Sequence, residues 1–283
     1  MKTIDLTPPE LAPSAPLVRR TGVRELLDYR QLVALLVVRE LKVRYKRSVF
    51  GLLWTMLNPL LLMIVYTVVF STIMPVAQKN FSIFLLSALL PWLFFQTALV
   101  QGLNSVIANQ DLIRKVRVPQ AVFPLSVVGS NLVNLALSMV PLFLLMLALR
   151  QPFSRALFFL PVGVLLLTFF TSGVTLTLAT FTVFFRDVKH LAEVVLQMLM
   201  YLSPIFYDLS AMGDNKSWWF HLFKTFLALN PMTYLIALIR EPVYYARLPE
   251  ARIIGIAAGI SLFTLFAGYK IFQRLAPRHI HYL

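Results

Sequence analysis

The sequence predicts an all-α integral membrane protein: six transmembrane helices, an N-terminal amphipathic helix in the interface, a re-entrant helical hairpin before the last span, and both termini in the cytoplasm. Three observations carry this. First, 59% of the 283 residues are apolar and only 13% are charged, where a soluble domain carries roughly a quarter charged residues. Second, the apolar residues fall in six blocks, 50–74, 81–104, 120–149, 157–185, 191–207 and 253–269, which hold a single charge, Glu193. About 20 such residues cross a bilayer core as a helix, and barrel strands would alternate instead of running continuously. Third, if six spans alternate, eighteen of the 26 lysines and arginines fall on the side of the termini and eight on the other. That asymmetry places both termini in the cytoplasm.

Residues 1–22, with Pro8, Pro9, Pro13 and Pro16, read as a flexible cytoplasmic tail without the apolar core of a signal peptide. Over 23–47 the pattern turns helical. Leu26, Leu27, Val33, Ala34, Val37, Val38 and Leu41 share a stripe, too interrupted by charge to span but suited to the interface. This helix runs into a basic elbow, Arg39, Arg44, Lys46 and Arg47. Topology anchoring at the headgroup level is the plain reading of the elbow.

A six-span domain is expected over 48–273, followed by a cytoplasmic tail at 274–283 that includes His279 and His281. The connection 104–119 carries Asp111, Arg114, Lys115 and Arg117 among apolar residues, a short amphipathic helix, while Arg186 and Asp187 occupy a very tight turn. Residues 217–239 have the length of a seventh span. Lys224 would then lie in hydrocarbon and Asn230-Pro231 would break the helix. Two half-helices within a re-entrant element at about 213–241, entering the outer leaflet with Trp218 and Trp219 at the interface, satisfy these constraints.

Much chemistry is absent from the sequence. No G-x-x-x-x-G-K-[ST] loop, H-E-x-x-H or G-x-S-x-G occurs, and there is no cysteine, so disulfide and thiol chemistry are excluded. The four histidines are scattered, which argues against a metal site. The span centres hold no ionisable residue of the kind ion-coupled carriers use. Net charge is +14; anionic lipid headgroups and the topology rule account for it without nucleic acid.

Arg39-Glu40-Leu41-Lys42-Val43-Arg44-Tyr45, then Gly51-Leu52-Leu53-Trp54 and Asn58-Pro59-Leu60, resemble the start of the first span in ABC type-2 polysaccharide exporter permeases. Phe185-Arg186-Asp187-Val188, Tyr201-Leu202-Ser203-Pro204-Ile205-Phe206-Tyr207 and Asn230-Pro231-Met232 with Tyr234 and Arg240 are similar to later elements of the same family, in order from about residue 24 to 269. The resemblance implies a bacterial inner-membrane permease without catalytic, nucleotide or metal site. It works as a homodimer with two copies of a separate nucleotide-binding subunit that uses ATP and Mg. Its cargo is a lipid-linked polysaccharide (O-antigen, capsule or teichoic acid) moving through a channel between two permease copies.

It further implies roles for particular residues. Asp111, Arg114, Lys115, Arg117, Arg186 and Asp187 would couple to the ATPase, though Arg186 and Asp187 could instead pair with each other. Arg39, Arg44, Lys46 and Arg47 would meet the carrier's diphosphate or only lipid headgroups. Tyr66, Phe70, Tyr201, Phe206 and Tyr207 would offer sugar-stacking faces in the channel, or would simply be packing aromatics. Asn230, Pro231, Tyr234 and Arg240 would form a re-entrant gate. A permease for a lipid or drug is the alternative within the fold. A flippase or glycosyltransferase acting alone is the alternative outside it, disfavoured because Asp111, Asp187 and Asp208 lie in separate loops.

Overall fold

The computed structural model describes residues 29–46, 48, 50–69, 79–115, 118–208, 218–279 and 282, with the backbone alone for 52, 58, 63, 66 and 67. The predicted tail 1–22, Leu26, Leu27, Arg47, Phe70, Arg117 and the first part of the 213–241 element lie outside the described residues, as does the Tyr66 side chain. Among the described residues all regular structure is helical. In chain order the helices are α1 (Arg30–Tyr45), α2 (Trp54–Val68), α3 (Phe81–Leu103), α4 (Ser105–Ala108), α5 (Gln110–Lys115), α6 (Val122–Ala148), α7 (Leu160–Phe184), α8 (Val188–Tyr201), α9 (Trp218–Leu229), α10 (Pro231–Val243) and α11 (Ala251–His279).

Four of these, α3, α6, α7 with the turn before it, and α11, are long and apolar enough to cross a membrane, among the described residues. Within an apolar slab every backbone polar group must be closed internally, and the helix does this. Hydroxyls inside the spans follow the same logic: Ser87, Ser126, Ser130, Thr171, Thr180 and Thr182 each donate to a carbonyl three or four residues back. Helices α2 and α8 are shorter, with 15 and 14 residues. After Tyr201 the predicted fifth block continues as turns to Tyr207.

Helix α3 is the centre of the bundle. Its Ile83, Phe84, Ala88, Trp92 and Ala98 are fully buried, and α6, α7 and α10 surround it. The most extensive pairing among the described residues is α7 with α11. Apolar side chains in lipid gain little from leaving lipid, so helix pairs there depend on close packing and small residues. Gly173 and Gly268 supply that: a Cβ on Gly268 would stand 2.1 Å from the Gly173 carbonyl oxygen. Outward-facing Leu144, Leu147, Leu165, Phe263 and Phe266 stay exposed, as a lipid-facing surface requires.

The bundle has two ends. At one, Asn80 Nδ2 donates to Gln151 Oε1 and Gln151 Nε2 donates to the Tyr244 carbonyl. At the other, His279 meets Gln120. Two expectations need correction. The stripe read for the N-terminal helix is its packing face only in part: Val33 packs with Tyr29, Leu32 and Leu36 on Val122 and Phe123 and Val37 lies against Gly129, whereas Ala34 and Val38 are exposed. A face recurring at 29, 32, 33 and 36 follows the helical period equally well, and packing on α6 selected it. Nor is His279 on a solvated tail. Helix α11 runs on through residue 279 and His279 is fully buried, because Phe184 and Phe272 enclose its ring.

Candidate functional site

Two polar constellations stand out in an otherwise apolar molecule. The first is a cleft of about 300 Å³ between α1, α2, α3 and α6. Arg44 enters it from the last turn of α1. Its Nη1 donates to Asn131 Oδ1 at 3.2 Å and its Nη2 to Gln101 Oε1, while Asn131 Nδ2 donates to the same Gln101 oxygen at 3.0 Å. Next to it Tyr45 Oη donates to Asn134 Oδ1 at 3.3 Å, and Ser138 Oγ donates to the Thr55 carbonyl at 2.9 Å. Asn131, Asn134 and Ser138 recur at three and four residues, one face of α6. Arg44's hydrogen-bond partners here are neutral amide oxygens, and among the described residues no carboxylate pairs with it. Its guanidinium is fixed in place by neutral partners in a half-buried cleft.

The second constellation lies at the Gln151 end. Asn230 begins α10: its Oδ1 accepts from Met232 N at 3.0 Å, with Pro231 at the first helical position. Its Nδ2 donates to the Leu202 carbonyl at 3.0 Å and to Ser203 Oγ at 2.9 Å. Arg240, 6% exposed, donates from Nη2 to the Ile205 carbonyl at 3.0 Å and lies 3.9 Å over the Phe84 ring. Two segments about thirty residues apart in sequence are therefore tied by Asn230 at one point and Arg240 at another. Helices α9 and α10 bend by 73° at the break between them. A pocket of about 560 Å³ opens here, lined among others by Asp208, Lys224, Tyr234, Arg240, Glu241 and Tyr245. Several of its polar groups are satisfied within the protein: Tyr245 Oη donates to Asp208, Arg247 pairs with Glu241, and Tyr234 Oη donates to the Ala228 carbonyl at 2.7 Å, whereas Arg240 Nε and Thr233 Oγ1 are buried without a hydrogen-bond partner among the described residues.

The matching family is described as ABC-2 type transporter, and it covers residues 31–244. The chain belongs to this family. Among curated relatives, the O-antigen export system permease protein RfbA of Myxococcus xanthus is 38% identical over 251 residues, covering 89% of this chain and 95% of that protein. A protein of the same description from Klebsiella pneumoniae is 29% identical over 249 residues, 87% of this chain and 93% of the relative. The polysialic acid transport protein KpsM of Escherichia coli is 23% identical over 248 residues, 85% and 92% respectively. With its long apolar helices, this ABC-2 chain is a multi-pass membrane protein.

The other sequence-selected residues divide clearly in the ABC-2 fold. Asp111, Arg114 and Lys115 are exposed on the short helix α5, and Arg186 and Asp187 are exposed in the turn between α7 and α8. Among the described residues Arg186 and Asp187 do not pair with each other. Arg39 joins Glu40 at 3.0 Å and Asn109 Oδ1 at 2.8 Å, linking α1 to the connection that carries α5. Lys46 is exposed. Tyr201 stacks near Phe206 with centroids 6.5 Å apart, Tyr207 Oη donates to the Tyr201 carbonyl at 3.3 Å, and Tyr207 lies against Phe223 at 5.8 Å. Sequence reasoning missed Gln101, Asn131, Asn134 and Ser203. The signal for the asparagines was present, as amides at helical spacing inside an apolar block.

Proposed function

We propose that this chain is the transmembrane permease subunit of an ATP-driven exporter that moves a lipid-linked polysaccharide, O-antigen first and capsule or teichoic acid otherwise, across the bacterial inner membrane. The observation that carries the reading is the 38% identity to an O-antigen export permease over 95% of that protein. Two copies form the channel, and the ATP-hydrolysing engine is a pair of separate nucleotide-binding subunits. Helices α2 and α8 complete six spans, α9 and α10 re-enter from the outside, and the His279 end with both termini is cytoplasmic. Supporting this arrangement, the charged connections around α5 and at Arg186 share the end where basic residues accumulate.

Within this permease, domain by domain, residues 1–22 and 274–283 are cytoplasmic, 23–47 lie along the interface and 48–273 make the membrane body. Asp111, Arg114, Lys115, Arg117, Arg186 and Asp187 meet the ATPase. Arg44, held by neutral partners in its cleft, meets the phosphate of the carrier with Arg39, Lys46 and Arg47 nearby in sequence. Tyr66, Phe70, Tyr201, Phe206 and Tyr207 face sugar, and Asn230, Pro231, Tyr234 and Arg240 hold the outer gate. The test is glycan analysis of a strain lacking this chain. Polymer should accumulate in the cytoplasm and disappear from the surface, and normal surface polymer would refute the reading.

A further inference from the structure

The last helix reaches past the apolar block that predicts its span. Helix α11 continues to His279, which is fully buried where both charged connections leave the bundle. His279 Nδ1 lies 2.7 Å from Gln120 Oε1, at the close of the connection that carries α5. With the Gln120 amide oriented so that its oxygen faces the ring, Nδ1 is the donor of this bond. The ring meets Phe184 and Phe272 edge to face with centroids 5.5 Å apart in each pair, and Tyr282 covers Phe184 at 5.0 Å. Phe184 is the last residue of α7, directly before the turn that holds Arg186 and Asp187. Around the imidazole, Val106, Ala121, Val183, Phe272 and Ala276 form an apolar cluster separate from the main core.

This small core draws on the start of the first connection, its end, the approach to the second connection and the end of the last helix. A polar bond inside it gains little net stability, because the same groups bond to water when the chain is unfolded. It does fix which residues face each other, because sliding any one segment would strand a buried imidazole or amide. The same helices α7 and α11 are clamped a second time at Gly173 and Gly268, roughly 16 Å along α11 at 1.5 Å per residue. Two clamps on one helix pair leave it little freedom except to move as a body.

We propose that His279 is a positioning residue for energy coupling: with Gln120 and Phe184 it binds the two cytoplasmic connections and the end of α11 into one rigid unit. A push delivered by the ATPase at either connection then reaches α6, α7 and α11 together. This rests on the permease reading above.

The test uses the full chain assembled with its ATPase subunit, measuring ATP turnover and glycan exported per ATP in the same preparation. H279F fills the space between the two phenylalanines but cannot bond Gln120, H279Q keeps a donor, and Q120L leaves the imidazole in place. H279F and Q120L should insert and bind the ATPase as the wild type does. Their export per ATP should fall about threefold or more, the scale of known coupling changes, and H279Q should recover most of it. Unchanged export per ATP in H279F and Q120L overturns the proposal, as does an equal deficit in H279F and H279Q. If H279F fails to accumulate, Q120L decides by the same ratio. A wild-type chain that binds no ATPase would instead sink the permease reading itself.

Discussion

Arg240 is tied to Ile205: its Nη2 donates to the Ile205 carbonyl at 3.0 Å while the guanidinium plane lies over Phe84. A lysine reproduces the charge but not the flat, forked group that can bond a carbonyl and stack at once. Arg240→Met should therefore loosen the segment at Ile205, which Asn230 still holds at Leu202 and Ser203, and leave the Ile205 carbonyl unpaired, at a cost of about 1–3 kcal/mol. Arg240→Lys should recover only part of that. Thermal unfolding in detergent measures the first effect, and protease sensitivity near Tyr207 the second. Full stability in Arg240→Lys would show that charge alone suffices.

At the junction of α7 and α11 the backbones touch. Gly268→Val puts a branched side chain where even a Cβ would be 2.1 Å from the Gly173 oxygen. The atom it meets is backbone and cannot swing away, so the helices must part. The expected destabilisation is about 1–3 kcal/mol or more, seen as lower yield of folded permease. Gly255→Ala, where a Cβ meets nothing within 4 Å, should have no such effect.

Much of the fold was legible because a bilayer imposes simple demands. Length and continuity of the apolar blocks located the elements that became α3, α6, α7 and α11, and Asn230-Pro231 located the break between α9 and α10. What could not be read was how faces pair. The packing face of α1 was chosen by Val122 and Phe123, residues eighty or more positions away. His279 falls in the short stretch after the last apolar block and so reads as tail, yet two phenylalanines from other turns enclose it. The site was partly legible for the same reason: Asn230 and Arg240 could be singled out, but that they grip Leu202, Ser203 and Ile205 is a tertiary fact.

Sidedness is open to direct labelling in a chain that has no cysteine of its own. Single cysteines at Arg155 and Leu248 should react with an impermeant reagent applied from outside. Those at Lys115, Lys189 and Arg278 should not. Reaction at Arg278 would place the His279 end outside and overturn the six-span arrangement.

The two exposed charges between α7 and α8 offer a test of coupling. Among the described residues Arg186 and Asp187 make no ion pair with each other, so a purely internal role has little structural basis. Reversing either charge should lower export and transport-linked ATP hydrolysis while the chain still inserts, with the loss reduced when the contacting charge on the ATPase is also reversed. Unaltered export in both single reversals would remove these residues from the coupling surface.

The aromatic group at the end of α8 bears on how a polymer is held. Tyr201 is 65% exposed, so its ring is not needed to fill a core, and Phe206 is stacked near it. Aromatic faces take up sugar CH surfaces without demanding one fixed hydrogen-bond pattern, which suits a chain that must slide. Each such contact is worth about 1 kcal/mol by analogy with aromatic pairs, so one substitution falls within experimental scatter and two are needed. Tyr201→Ala with Phe206→Ala should slow export of long glycan chains while leaving permease level and ATPase binding near normal. Tyr207 should be left intact in that experiment, because it also braces Phe223 and the Tyr201 carbonyl. Phe158→Ala, at a side chain 87% exposed far along the chain, serves as the control for losing a surface ring. If the double variant delivers glycan of normal length and amount, Tyr201 and Phe206 face lipid or a second protein surface, and the sugar path must be sought along the polar face of α6 instead.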